Sequence, residues 1–247
     1  MAVFSLVHGG QQGAWCFEPL QAELEQLRHR SVAVDLPIGD PDAGASEYAE
    51  VVVSSLADVD EEVVVVGHSL GGLTLPLIAQ RRPVRLLVFV CAVIPEPGTN
   101  PYDLIAQDAE DSETAHPSLL DDDAQWHLTP REEAREVFFF DCPREIQEWA
   151  LDRQRPQCEK PHREVTPLRE WPPVPAAVAN GVFDRCIPIA RARRTALRVF
   201  GRTPVELQEG HFPFLTSPRL IAEELDRLAR GAERSWPVTV ALEAQHA

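Results

Sequence analysis

Three residue types with the chemistry of a charge-relay hydrolase occur in this sequence in the order serine, aspartate, histidine: Ser69, Asp184 and His211. Ser69 lies in Gly67-His68-Ser69-Leu70-Gly71-Gly72, a GxSxG pattern that directly follows the β-branched run EVVVV at residues 62–66 and precedes residues of helical composition. A sharp strand-to-helix turn holds a serine exposed in a strained backbone, and the flanking glycines permit the close chain approach. Serine is a weak nucleophile at neutral pH unless a base removes its proton. His211, in EGHFP after the final β-prone run, is placed to be that base, and Asp184, in NGVFDRCIP, to orient its imidazole and offset its charge.

Attack of a serine on a carbonyl generates an oxyanion, which backbone N–H groups must meet. The N–H of Leu70 is one expected donor, and the glycine turn His8-Gly9-Gly10-Gln11 after the first strand supplies the other, at Gly10. Of the remaining histidines, His8 and His68 belong to the glycine turns, His29 and His246 read as exposed, and His116, His127 and His162 fall in the middle of the chain.

These side chains need a scaffold that brings strand ends together. Val3–Val7 reads as a strand leading into the first glycine turn, and residues 19–27 as a helix with Leu20, Leu24 and Leu27 on one face. Further strands are expected at 31–36, 62–66, 84–94, 175–180 and 204–208, and helices at 45–56, 73–80, 187–200 and 217–229, the last with Ser217 as N-cap. Pro76 is expected to kink the 73–80 helix. Alternating strands and helices imply an α/β fold with a mostly parallel central sheet and helices on both faces. Between residues 95 and 173 the alternation stops, and acids, prolines and isolated aromatics take over. That segment reads as an inserted, mainly helical cap, with helices at 132–140 and 143–153 and a loop at 108–123. The core then comprises residues 1–94 and 174–233, and residues 234–247 form a tail.

Composition narrows the function. Hydrophobic residues at 44% and charged residues at 25% of 247 suit one ordinary globular body. The net charge of −16 repels phosphate backbones and anionic lipid surfaces, so nucleic acid and membrane are not expected partners. No apolar run approaches the roughly 20 residues needed to span a bilayer, and the N-terminus lacks the basic region of a signal peptide, so a cytoplasmic location is expected. The 5 cysteines have neither metal-ligand spacing nor an even count, which points to free thiols, with no metal expected. The oligomeric state is not fixed by the sequence, with which a homodimer is compatible.

Four ordered stretches, VHGGQQGAWCFEPL at residues 7–20, GHSLGG at 67–72, FDRCIP around Asp184 and EGHFPFLTSP at 209–218, resemble the plant methylesterase and hydroxynitrile lyase group of α/β-hydrolases. The resemblance extends to bacterial relatives that include pyrethroid-hydrolysing esterases. It implies the α/β-hydrolase fold and a cofactor-free serine esterase acting on a small, largely apolar ester, with the acyl pocket under the cap. Gln11, His68, Trp126, Phe139, Trp149 and Phe212 are the expected pocket residues. The lyases of the group carry threonine where this chain has Gly9 and lysine where it has Phe212, which disfavours cyanohydrin cleavage. The Gln11-Gln12 pair departs from the plant pattern at the mouth of the site. Two other readings of the same scaffold stay open: a non-hydrolytic enzyme (a lyase or a biosynthetic step) and a ligand-binding protein.

Overall fold

The computed structural model describes residues 1–104 and 125–232. The loop expected at 108–123 and the tail at 234–247 both fall wholly outside the described residues. Six parallel strands form the central sheet: β1 (Val3–Val7), β2 (Arg30–Ala33), β3 (Val63–Ser69), β4 (Val84–Ala92), β7 (Ala176–Gly181) and β8 (Val205–Leu207). Their order is β2-β1-β3-β4-β7-β8. A separate two-stranded antiparallel ribbon, β5 (Trp126–His127) with β6 (Gln157–Cys158), lies between β4 and β7 in the chain.

Continuous apolar runs make the central strands, because helices cover both sheet faces. In β3, Val64 and Val66 face one core, with Phe17, Leu20 and Leu225, while Val63 and Val65 face the other, with Tyr48, Val52 and Ile78. Helices α1 (Glu18–Gln26), α8 (Pro213–Thr216) and α9 (Pro218–Gly231) pack on the first face, and α2 (Ala45–Ser55) and α3 (Leu75–Ala79) on the second. Helix α7 (Ile189–Phe200) joins the second face through Ala196. Between residues 95 and 173 lie the short helices α4 (Arg131–Val137), α5 (Arg144–Leu151) and α6 (Lys160–Arg163). Among the described residues no helix is long and apolar enough to cross a membrane.

Two local expectations are corrected. Pro76 does not kink a helix: a 3-10 turn over Leu70–Thr74 comes first, and Pro76 sits in the opening turn of α3, where its missing N–H has no helical acceptor to lose. Ser217 precedes α9 without capping it by its side chain; its hydroxyl donates to Glu209 at 2.5 Å instead.

The chain runs from β1 outward to β2 and then returns to place β3 on the other side of β1. Strand order therefore reverses at β1 and β3, and the crevice beyond their C-terminal ends is where open α/β sheets bind ligands. The glycine turn after β1 and Ser69 at the end of β3 both stand at that crevice.

Candidate active site

Ser69 ends β3 with φ of 50°, a left-handed conformation costly for a residue with a Cβ, and the 3-10 turn starts at Leu70. The turn closes because Gly71 lies against the backbone of β1: a Cβ there would stand 2.4 Å from the His8 carbonyl oxygen and 2.7 Å from that of Val7. Gly9 is equally constrained, since a Cβ on it would stand 2.6 Å from Cβ of Ser69. The threonine that the lyases carry at this position would press directly on the serine.

His211 follows β8 and is buried, with Nδ1 3.0 Å from each carboxylate oxygen of Asp184. Asp184 Oδ1 also accepts the backbone N–H groups of Cys186 at 2.8 Å and Ile187 at 2.9 Å, which fix the carboxylate in the loop after β7. A carboxylate can only accept, so the imidazole proton sits on Nδ1 and leaves Nε2 with a lone pair. His68 steadies the same loop: its Nε2–H donates to the His211 carbonyl at 2.9 Å. From residue 141, an Asp141 carboxylate accepts the Gly210 N–H at 2.5 Å, and burial pushes its pKa upward.

Below the pair lies Cys91. The register of β3 against β4 steps from His68 opposite Val90 to Ser69 opposite Ala92, so Cys91 is an extra residue, bulged with φ of 46°. Among the described residues, Cys91, Asp184 and His211 are the cluster whose donor atoms, within 4.8 Å of one another, could hold a metal ion. Each is otherwise engaged: Cys91 Sγ accepts the Gly181 N–H at 3.3 Å and donates to the Gly210 carbonyl at 3.6 Å, and burial with the adjacent Asp184 carboxylate holds it as a thiol.

Ser69, His211, Gly10 and Leu70 border one cavity of about 90 Å³, to which His68, Gln11 and Phe212 also contribute. Three expected pocket residues do not line it. Phe139 is buried against Phe212, ring centres 4.7 Å apart, and its neighbour Phe138 takes the cavity position, 6.0 Å from the His211 ring. α4 ends one residue before this pair, so which ring turns inward is decided by tertiary packing, not by helical spacing. Trp149 stacks edge-on against Trp15 at 4.9 Å, with the Arg153 guanidinium over its ring. Trp126 is 46% exposed and donates to the Gly39 carbonyl at 3.0 Å.

Residues that sequence reasoning did not assign to the cavity complete its far wall: Tyr102, His127, Gln157, Glu159 and His162. Their approach depends on the pairing of β5 with β6, two residues each, which leaves no periodic signal. The departure noted at Gln11-Gln12 proves to be a joint. Gln11, at φ of 62°, donates from its amide to Thr129 Oγ1 at 3.0 Å and accepts the Thr129 N–H at 2.7 Å. Arg155 donates its backbone N–H to the Gln11 carbonyl at 2.9 Å and its guanidinium to the Gln12 carbonyl at 3.0 and 2.7 Å.

His8, under the glycine turn, donates from Nδ1 to the Gly9 carbonyl at 2.7 Å and accepts the Leu36 N–H on Nε2 at 3.0 Å. Both nitrogens are committed with the ring neutral, and burial lowers its pKa from 6.5 to about 4. The unfolded chain takes up this proton below about 6.5 while the folded chain does not until about 4. The stability is therefore present above 6.5 and is lost as pH falls toward 4, by about 3 kcal/mol. Urea unfolding midpoints should fall between pH 7 and pH 4.5, and fall less in His8→Gln, which keeps one donor and one acceptor; an equal fall in both proteins would refute the assignment to His8.

The sequence model of the alpha/beta hydrolase family matches residues 6–224. Methylesterase 2 of Arabidopsis thaliana is 37% identical over 110 residues, covering 40% of this chain and 42% of that protein. Polyneuridine aldehyde esterase of Rauvolfia serpentina is 36% identical over 105 residues, covering 38% and 40%. The matched stretches thus span about two fifths of these curated relatives. Pyrethroid hydrolase of Sphingobium wenxiniae is 26% identical over 237 residues, 89% of this chain and 85% of that protein. The crystal structure of polyneuridine aldehyde esterase superposes with a TM-score of 0.79 at 23% identity, covering 93% of this chain and 99% of the other.

Proposed function

The chain belongs to the alpha/beta hydrolase family, and from that premise we propose that it is a carboxylic ester hydrolase working through Ser69, His211 and Asp184 on a small, largely apolar substrate. The observation that carries the reading is one arrangement: a serine at a left-handed strand end and a buried histidine paired with a carboxylate, both bordering one cavity. Esterase relatives of two kinds, the plant methylesterases and the bacterial pyrethroid hydrolase, support it.

In this reading His211 Nε2 takes the Ser69 proton as Oγ attacks the ester carbonyl, and the Gly10 and Leu70 N–H groups receive the oxyanion. Asp184 stabilises the imidazolium. Collapse expels the alcohol, which takes the proton from His211; water, deprotonated by His211, then releases the acid and frees Ser69. Residues 95–173 act as a cap whose Phe138 and far-wall side chains select the substrate. The mechanism calls for no cofactor. A lyase reading has less support, since the ammonium it needs would stand where Phe212 is buried.

The test is turnover of p-nitrophenyl esters of increasing acyl length at neutral pH, with mass spectrometry of quenched enzyme. Hydrolysis with a transient acyl adduct on the Ser69 peptide is expected. Absence of turnover on every ester would overturn the reading in favour of binding or lyase chemistry.

A further inference from the structure

The far wall of the cavity is poor in partners for its own acceptors. Gln157, from β6, has 0% of its surface exposed, yet it lines the cavity. Its Nε2 donates to the Cys158 carbonyl at 2.9 Å and to the Tyr48 hydroxyl at 3.0 Å. A carbonyl cannot donate, so the amide has one orientation, with Oε1 on the other side. Among the described residues that Oε1 has no hydrogen-bond partner. It stands beside the oxyanion turn: a Cβ on Gly10 would lie 3.5 Å from it. A second buried cavity residue, Gln12, likewise leaves its Oε1 without a partner.

On the same wall, His162 stacks on Tyr102 at 5.4 Å. The Tyr102 hydroxyl donates to the Glu159 carboxylate. His127 Nε2 lies 3.1 Å from the Thr129 hydroxyl. None of these groups brings a donor to Gln157 Oε1. A buried acceptor left unmade is costly, and the group that best relieves it is a donor carried in by the substrate.

We propose that the enzyme's substrates are esters bearing a hydrogen-bond donor, a hydroxyl or an N–H, on the carbon next to the ester carbonyl, and that Gln157 Oε1 is the acceptor that selects them. The assignment rests on the esterase reading above. Gln157 Oε1 lies beside Gly10, so with the carbonyl oxygen held at the Gly10 N–H the donor it can accept is one carried within a bond or two of the reacting carbonyl. An ester without the donor buries that oxygen unpaired, and an ether oxygen in its place sets two acceptors against each other.

Three methyl esters that share a phenyl group test this: methyl 2-hydroxy-2-phenylacetate as separate enantiomers, methyl 2-methoxy-2-phenylacetate and methyl phenylacetate, with released acid followed by chromatography. Wild type is expected to favour one hydroxy enantiomer over both donor-free esters by roughly 10- to 100-fold in kcat/KM. In Gln157→Leu, and in Gln157→Met should the first variant fold poorly, that ratio should shrink to within about 3-fold, the ratio being the readout and not the absolute rates. Equal rates on all three esters by wild type would overturn the donor requirement and leave the esterase reading standing. A preference that survives both variants would overturn the role of Gln157. No turnover of these esters or of p-nitrophenyl acetate would instead bring down the esterase reading, and this inference with it.

Discussion

Ser69→Ala is expected to abolish ester hydrolysis, with kcat falling by about 10⁴-fold or more, while thermal stability is kept or slightly improved. The loss follows from chemistry, since alanine offers no oxygen to the carbonyl. The stability follows from geometry: among the described residues the serine side chain makes none of the hydrogen bonds that tie the turn together, which run through backbone, such as the Val93 N–H to the Ser69 carbonyl at 2.9 Å. Retained binding of a non-hydrolysed ketone analogue of the ester, measured by calorimetry, would separate lost chemistry from a lost pocket. A variant that still turned over p-nitrophenyl esters at more than a hundredth of the wild-type rate would move the nucleophile elsewhere.

Asp184→Asn should cost about 10³- to 10⁴-fold in kcat with little change in KM. The cause is a proton on the wrong nitrogen. The backbone N–H groups of Cys186 and Ile187 both point at Oδ1 and will claim the amide oxygen of asparagine, which turns its NH₂ toward His211. Facing a donor, Nδ1 must accept, so the ring carries its proton on Nε2 and cannot take one from Ser69. The defect should appear in the rate of acyl-enzyme formation measured by stopped flow. Wild-type acylation in this variant would show that the carboxylate does not set the tautomer.

Much of this site was legible in the chain because its parts are local. The EVVVV run, the glycine-flanked serine and the EGHFP loop each carry their geometry within a few residues, and the alternation of strands and helices forces their ends to one edge of the sheet. Where the fold depends on contacts between distant short elements, spacing says little. Phe138 and Phe139 are adjacent and equivalent by type, yet one borders the cavity and the other fills the core. Trp126 and Trp149 are aromatic residues of the 95–173 segment expected in the pocket, but contacts with Gly39 and Trp15 claim them, and neither partner is near in sequence. Gln157 carried no signal at all, since its placement follows from a ribbon two residues wide and from the Cys158 N–H bonded to the Ile38 carbonyl at 2.6 Å.

The joint between the first glycine turn and the inserted segment bears on how such enzymes diversify. Thr129 and Arg155 grip the backbone and amide of the residues directly after Gly10, so the glycine turn that the proposed mechanism assigns to the oxyanion is shaped partly by the segment between β4 and β7. Insert and scaffold are therefore not independent modules. Transplanting another member's insert onto this sheet, as in recombination or directed evolution, would trade specificity at one end and misalign the turn at the other, unless the donor segment carries its own threonine and arginine for Gln11 and Gln12. Compatible crossover points fall where both halves of that joint travel together.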